Sequence, residues 1–231
     1  MYLKGLNRKG DIKFVVEILL IIIAFLAILP IFINEFFPKA TDISSRSSCQ
    51  ESFILKANTD IPVVGPNIDL ACSTNVYNYE SSDITSVQKL IAEELYYCWW
   101  QFGEGKVELG KWKINGPGYA CFVCANVKFK ESMLKSFPGS KTIDMANYLN
   151  NYFIPGSTKE TYSQYFLGKN EGFSNQNIRN DLTFNDNIFV VYRFKDTLTG
   201  FKADFALEDS DSVSKNCNSI QDFKVNNKKG L

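Results

Sequence analysis

The sequence contains no histidine at any of its 231 positions. Histidine is the commonest general base in enzymes, the commonest zinc ligand and the side chain whose charge changes nearest to neutral pH. Catalysis, metal binding and pH sensing would therefore have to use other groups. No catalytic residue, metal site or cofactor is predicted from the sequence.

The chain also lacks net charge, because 25 Lys and Arg residues balance 25 Asp and Glu residues. A nucleic-acid-binding protein normally carries an excess of basic residues on one surface. The composition therefore predicts no nucleic acid partner. With 45% hydrophobic and 14% aromatic residues, the chain is instead typical of a protein with a packed core.

One long apolar run stands near the start of the chain. Residues 14–33 contain a single charged side chain, that of Glu17. About 20 helical residues at 1.5 Å each span about 30 Å, which is the thickness of the hydrocarbon core of a bilayer. The run therefore predicts one transmembrane helix in contact with membrane lipid. A buried helix of a soluble core would normally be shorter and interrupted by polar residues.

The charges that flank this run predict its orientation. Basic residues are concentrated ahead of it, at Lys4, Arg8, Lys9 and Lys13. By the positive-inside rule, the N-terminus lies in the cytoplasm and the residues beyond about 40 lie outside the cell membrane. The predicted order is a cytoplasmic N-terminus (1–13), a span (14–33), a polar, Ser-rich stalk (34–48), an extracytoplasmic domain (49–225) and a tail (226–231).

All of the cysteines fall in the predicted extracytoplasmic part: Cys49, Cys72, Cys98, Cys121, Cys124 and Cys217. An even number of cysteines on the oxidising side of a membrane indicates a disulfide framework. Six cysteines allow 15 pairings, and the sequence does not select one.

The stretch "CFVC" at 121–124 admits two sharper hypotheses, a redox pair and half of a zinc site. A redox pair should open a helix, but "YACFVCANVKFK" alternates as a strand does. A spacing of three in a strand sends the sulfurs of Cys121 and Cys124 to opposite faces, so we expect them to bond to different partners. A zinc site would need further ligands, and there is no second Cys-x-x-C.

The stretch "CWWQFGEGK" at 98–106 follows a predicted amphipathic helix. Apolar residues recur at helical spacing, at Ile84, Val87, Ile91, Leu95, Cys98 and Phe102. Ser82 or Asp83 can cap the start of this helix, and Gly103 can supply the left-handed residue that ends it. We expect Trp99, Trp100, Phe102 and Gly103 to form a structural core beside a disulfide of Cys98. Glu104, between two glycines, is most simply a solvated turn.

The remaining patterns predict an α+β domain with an antiparallel sheet and a long amphipathic helix. "SFILKAN" and "IDLACS" are interpreted as strands before the helix, and "YACFVCANVKF" and "NIFVVYRF" as strands after it. "TIDMANYLNNYF" has the spacing of a second helix. Glu93, Glu94 and the carboxylates of "EDSDS" at 208–212 are expected to be solvated.

Two resemblances add to these predictions. "AEELYYCWWQFGEGKVEL" followed by "CFVCANVKF" resembles a family of uncharacterised single-span membrane proteins of archaeal genomes, over about residues 50–195. That resemblance implies topology and fold but no activity. "NRKGDIKFVVEILLIIIAFLAILP" resembles the start of a type IV prepilin, with its class III signal peptide. A peptidase would then cut after Gly10. Glu17 would become the seventh residue of the mature chain, whereas the corresponding glutamate of pilins is normally the fifth.

Three functions follow as hypotheses. The favoured one is a signal-anchored extracytoplasmic domain with a binding or structural role at the cell envelope, in which no catalytic activity is inferred. Its partner would be an envelope protein or another copy of the chain. The alternative is a pilin-like filament subunit cleaved after Gly10. A second alternative is an envelope thiol-disulfide oxidoreductase that uses Cys121 and Cys124.

Overall fold

The computed structural model describes residues 8–59, 70–80, 83–107, 119–131, 142–168, 171–174, 187–197, 200–221 and 224–229. The chain divides into two compact units, Met1–Ser44 and Ser45–Leu231. The first helix, α1 (Arg8–Thr59), contributes residues to both of them.

In the first unit, α1 has an apolar surface that is exposed. Its exposed large apolar side chains are those of Phe14, Val15, Val16, Ile18, Leu19, Leu20, Ile21, Ile22, Ile23, Phe25, Leu26 and Ile28. Counting only residues whose side chains are described, which in α1 are 14–30 and 40–57, no helix has the length and apolar character needed to cross a membrane. The transmembrane helix at 14–33 therefore stays a prediction.

The second unit is built on a six-stranded sheet whose main path runs β4-β3-β2-β1-β6. The strands are β1 (Ser73–Tyr79), β2 (Tyr119–Phe129), β3 (Ile188–Thr197), β4 (Gly200–Glu208), β5 (Cys217–Gln221) and β6 (Lys224–Lys229). One edge of β2 pairs with β3. Its other edge pairs first with β5, through Tyr119–Phe122, and then with β1, through Ala125–Phe129.

The sheet is mixed, so the predicted antiparallel sheet is wrong in part. Strands β2, β3 and β4 pair antiparallel, as expected. Strand β1, however, is parallel to both β2 and β6, and β5 is parallel to β2. A helix, α2 (Ile84–Gln101), lies between β1 and β2 in the chain. Such a crossover returns the chain to the end where the first strand began, and this makes the two strands parallel.

The sheet separates the buried side chains into two cores, and helices contribute to both. The larger core contains α2, α3 (Met145–Asn151), α4 (Tyr162–Leu167) and Phe53 of α1 together with one face of the strands. The smaller core joins Cys121, Val191, Cys217 and Val213, the last from α5 (Ser210–Asn216). The α+β class and the helices predicted around Ile91 and Leu149 are confirmed.

The end of α1 differs from the sequence prediction. The segment "SFILKAN", predicted as a strand, is helical, and so is the predicted stalk at 34–48. The reason lies in the buried positions Arg46, Cys49 and Phe53, which are three and four residues apart and so share one face of a helix. In "IDLACS" only Ser73 belongs to a strand, and residues 68–69 lie outside the described part. Residues 226–229, predicted to be tail, end strand β6.

Candidate functional site

Helix α2 places the "CWWQFGEGK" stretch at its C-terminal end. The helix begins at the cap predicted for it, because the Asp83 carboxylate accepts hydrogen bonds from the backbone N–H groups of Thr85 and Ser86, at 3.1 and 3.2 Å. Its buried side includes Val87, Ile91, Leu95 and Cys98. The apolar pattern thus correctly predicted both the helix and the face that carries Cys98.

Three disulfides fasten the second unit: Cys49–Cys72, Cys98–Cys124 and Cys121–Cys217. All six cysteines are buried, and none is free. Cys98–Cys124 ties the last turn of α2 to β2 in the larger core, whereas Cys121–Cys217 lies in the smaller core. The prediction that Cys121 and Cys124 bond to different partners is confirmed. The arrangement that thiol-disulfide exchange would need, a Cys121–Cys124 pair at a helix start, is not the one found.

Aromatic rings pack around the end of α2. Phe102 is fully buried and stacks on Phe122 and on Tyr192, with ring centroids 4.7 and 4.6 Å apart. Trp99 is half-buried and forms a T-shaped pair with Phe205, with ring centroids 5.6 Å apart. Trp100 is also half-buried, and its carbonyl accepts a hydrogen bond from Gln50 Nε2 at 2.9 Å. Aromatic pairs at these separations stabilise a core beyond the area that they bury.

The turn after α2 needs its two glycines. Gly103, Glu104 and Gly105 all have left-handed backbone, with φ of 73°, 56° and 69°. A Cβ on Gly103 would lie 2.3 Å from Val107 Cγ2, and one on Gly105 would lie 2.6 Å from the Trp99 ring. Both glycines therefore combine a backbone that disfavours side chains with a lack of space. The close packing and the left-handed backbone of this turn therefore explain the Gly-x-Gly pattern.

Glu104 is engaged by its neighbours and is not a freely solvated turn residue. Tyr165 Oη donates a hydrogen bond of 2.6 Å to Glu104 Oε1, and Lys106 forms an ion pair with Oε2. Lys106, and after it the Tyr165 hydroxyl, lowers the pKa of Glu104. Burial, and after it the carboxylate of Glu104, raises the pKa of Tyr165. A carboxylate with a lowered pKa is ionised at neutral pH, so Glu104 ties this turn to α4 and is poorly suited to donate a proton.

A buried ion pair lies on the buried face of α2, at Glu94, which was expected to be solvated. That expectation is wrong: Glu94 is only 2% exposed and lies 2.5 Å from Arg46 of α1. Glu94 also accepts hydrogen bonds from Tyr77 Oη at 2.6 Å and from Asn75 Nδ2 at 3.3 Å. Spacing could have revealed it, because Glu94 comes three residues after Ile91 and four before Cys98, on the apolar face.

The "EDSDS" segment is solvated only in part: Asp211 is exposed, as expected, whereas Glu208 and Asp209 are engaged by neighbouring groups. Glu208 is buried and lies 2.9 Å from Arg193, which also contacts Asp204 at 2.7 Å. Asp209 caps α5 by accepting a hydrogen bond of 2.7 Å from the backbone N–H of Ser212. The guanidinium of Arg193 lies 4.8 Å from the centre of the Tyr119 ring. These carboxylates hold two strands and a short helix together.

Metal chemistry has no candidate among the described residues, where no three His, Cys, Asp or Glu side chains form a group able to hold an ion.

No family model, no curated protein and no solved structure matches this chain. The two resemblances stay predictions.

Proposed function

We propose that this chain is a membrane-anchored protein of the cell envelope whose second unit faces outward and has a binding or structural role. The observation that carries the proposal is the set of three buried disulfides, all within the second unit. Disulfides form and persist in oxidising environments and are rare in the cytosol. The placement of every cysteine after residue 48 agrees with an outward-facing domain.

The anchor in this proposal is the apolar run at 14–33. This anchor is supported by the sequence pattern and by the exposure of the apolar side chains in the part of α1 that belongs to the first unit, from Phe14 to Ile28. Exposed apolar surface of this kind is unfavourable in water and favourable in lipid. The basic residues ahead of the run support a cytoplasmic N-terminus.

A binding or structural role is supported by what the reactive-looking side chains do. The cysteines are paired, Glu94 and Glu208 are buried in ion pairs, and Glu104 is held by Tyr165 and Lys106. Each of these groups links two parts of the second unit. The partner would be an envelope protein or a second copy of the chain.

Peptide mapping and intact mass of the protein purified from membranes without reductant would test this proposal. We expect a chain uncut ahead of Asp11, the three bridges described above, and retention in the membrane after an alkaline wash. Release by that wash would contradict the anchor. Free thiols in protein prepared with a rapid thiol-blocking reagent would contradict the outward orientation.

A second candidate is a filament subunit of the type IV pilin kind, and the helix itself favours it. Helix α1 is assigned from Arg8 to Thr59, so the apolar run and the first buried residues of the second unit belong to one helix. A prepilin resemblance implies such a helix, packed against copies of itself after cleavage. A mature chain that begins at Asp11 and sediments as polymers would favour this candidate, whereas an uncut chain would exclude it.

A further inference from the structure

The second part of α1 is attached to the rest of its unit along a single face. The residues that attach it include Arg46, Cys49, Gln50 and Phe53, which follow one another at helical spacing. They provide an ion pair, a disulfide, a hydrogen bond and an aromatic contact, the last between Phe53 and Phe102 with ring centroids 4.9 Å apart. A stripe of this kind attaches a helix firmly while its other side stays solvated.

We propose that the Cys49–Cys72 bridge is a mechanical shortcut that passes tension from α1 directly into strand β1. This inference rests on the proposed function, because an anchor in the membrane or a filament is what would pull on α1. Cys72 comes immediately before Ser73, where β1 begins. Force that enters at Cys49 therefore reaches the sheet across one covalent bond, without passing through residues 50–71.

The length that the bridge removes from the path is considerable. Cys49 and Cys72 are 23 residues apart in the chain, which is about 80 Å when fully extended, yet their Cα atoms are 4.4 Å apart. Without the bridge, tension would first peel Gln50 and Phe53 away from the core and then extend the chain up to β1. With the bridge, peeling stops at Cys49.

A polar path next to the bridge leads to the same strand. Arg46 pairs with Glu94 of α2, and Glu94 in turn accepts hydrogen bonds from Asn75 and Tyr77 of β1. Arg46 precedes Cys49, so this ion pair meets tension before the bridge does. Separation of Arg46 from Glu94 would leave a buried charge without its partner. Because that is costly, the ion pair resists separation of the two helices.

Strand β1 is well suited to receive tension because it is paired along both edges. It is parallel to β2 from Asn75 to Tyr79 and parallel to β6 from Ser73 to Asn78. The residues just after the bridge, Ser73 and Thr74, pair with Lys224 and Val225. Tension that arrives at Cys72 is thus shared among the ladder hydrogen bonds of neighbouring strands.

Single-molecule pulling on the full-length protein in detergent, with handles at its two termini, would test this inference. The test variant is the double substitution Cys49→Ala with Cys72→Ala. The matched control, Cys121→Ala with Cys217→Ala, removes the bridge of the smaller core, to which no described side chain of α1 contributes. Before the sheet ruptures, we expect the test variant to lengthen by about 80 Å more than the native chain or the control.

A second variant keeps all six cysteines, in case the double substitution fails to fold. It carries a flexible insertion of about 20 residues between positions 60 and 69, which would add about 70 Å if that segment carried the force. We expect the extension before rupture to match that of the native chain. An increase by the inserted length, or identical traces for the native chain and the Cys49/Cys72 variant, would overturn the proposed shortcut.

Failure of the anchor and failure of the shortcut give different results. An alkaline wash of membranes reports only on the anchor, and the pulling traces report only on the path of tension. A protein that washes off the membrane but shows the expected traces would contradict the proposed function and leave the shortcut as a property of the fold. A protein that stays in the membrane after the wash, but whose traces do not change when the Cys49–Cys72 bridge is removed, would support the anchor and contradict the shortcut.

Discussion

Single glycines decide the geometry at the end of α2, and Gly105 is the one that packs against an aromatic ring. Gly105→Ala combines a left-handed backbone with a Cβ placed against the Trp99 ring, at 2.6 Å. We expect it to lower the free energy of unfolding by about 2–4 kcal/mol, from backbone strain and overpacking together. Urea denaturation followed by tryptophan fluorescence would measure the loss.

Gly156 provides the matched control for this substitution. Its φ is +80°, but a Cβ there would meet no atom within 4 Å. Gly156→Ala should therefore cost only the backbone term of about 1–2 kcal/mol. Equal losses at Gly105 and Gly156 would show that the contact with Trp99 is unimportant.

Two buried tyrosines differ in what their hydroxyl groups contact. Tyr77 Oη donates to Glu94, whereas Tyr192 Oη has no hydrogen-bond partner among the described atoms. We expect Tyr77→Phe to cost about 1.5–3 kcal/mol of unfolding free energy, and Tyr192→Phe to be neutral or to stabilise by up to about 1 kcal/mol. Thermal and urea unfolding of both variants would check this. A large loss at Tyr192 would reveal a partner for its hydroxyl.

At the scale of elements, the Arg46–Glu94 pair joins α1 to α2. Arg46→Met and Glu94→Gln each unbalance a buried ion pair, so we expect each to cost about 3–5 kcal/mol of unfolding free energy. The double variant should cost less than the sum of the two by at least about 1 kcal/mol. Denaturant unfolding of the four proteins in this cycle would measure the coupling.

The neighbouring pair Lys89–Glu93 is the control for this cycle. It spans the turn of α2 just before Glu94, with its charged atoms 4.0 Å apart and the lysine side chain 66% exposed. Exposed pairs of this type contribute little, so Lys89→Met and Glu93→Gln should show a coupling below about 0.5 kcal/mol. If the costs of Arg46→Met and Glu94→Gln were additive, the two side chains would not be coupled and the buried pair would not stabilise the fold as a pair.

The elements also show where sequence reasoning works and where it stops. Helix α2 and strand β2 were predictable because their apolar periods are unambiguous, and the opposite faces of Cys121 and Cys124 follow from the strand period alone. The sheet direction at β1 depends on pairing with β2 and β6, which are distant in the chain, so local pattern could not give it. The expectation for Glu94 is wrong because charge alone predicts exposure, whereas the helical spacing places this residue on the apolar face.

At the scale of the whole molecule, buried tyrosines predict how the fold responds to alkali. Burial, and after it Tyr152, raises the pKa of Tyr148 to about 12, and burial raises the pKa of Tyr162 and Tyr192 as well. A raised folded-state pKa favours the neutral phenol in the fold. Its stabilising contribution is complete below the unfolded pKa of about 10 and is lost as pH rises above it.

We therefore expect the second unit to lose stability steadily above about pH 10, with part of its tyrosine ionisation delayed until unfolding. Ultraviolet absorbance of tyrosinate and circular dichroism, followed together during a titration, would show one coincident step. The same chain in denaturant is the control and should ionise smoothly near the ordinary tyrosine pKa. Smooth ionisation of every tyrosine in the folded protein would contradict this expectation.

The order of the cysteines along the chain has a consequence for biosynthesis. The Cys98–Cys124 and Cys121–Cys217 bridges interleave, because Cys121 lies between Cys98 and Cys124 in the chain. The partner of Cys121 is 96 residues further along. At about 5–20 residues per second, ribosomes make Cys217 about 5–20 s after Cys121. During that interval Cys98, Cys121 and Cys124 can pair wrongly. We therefore expect efficient maturation to depend on a catalyst that reshuffles disulfides after synthesis, and a host without one to accumulate misbridged chains.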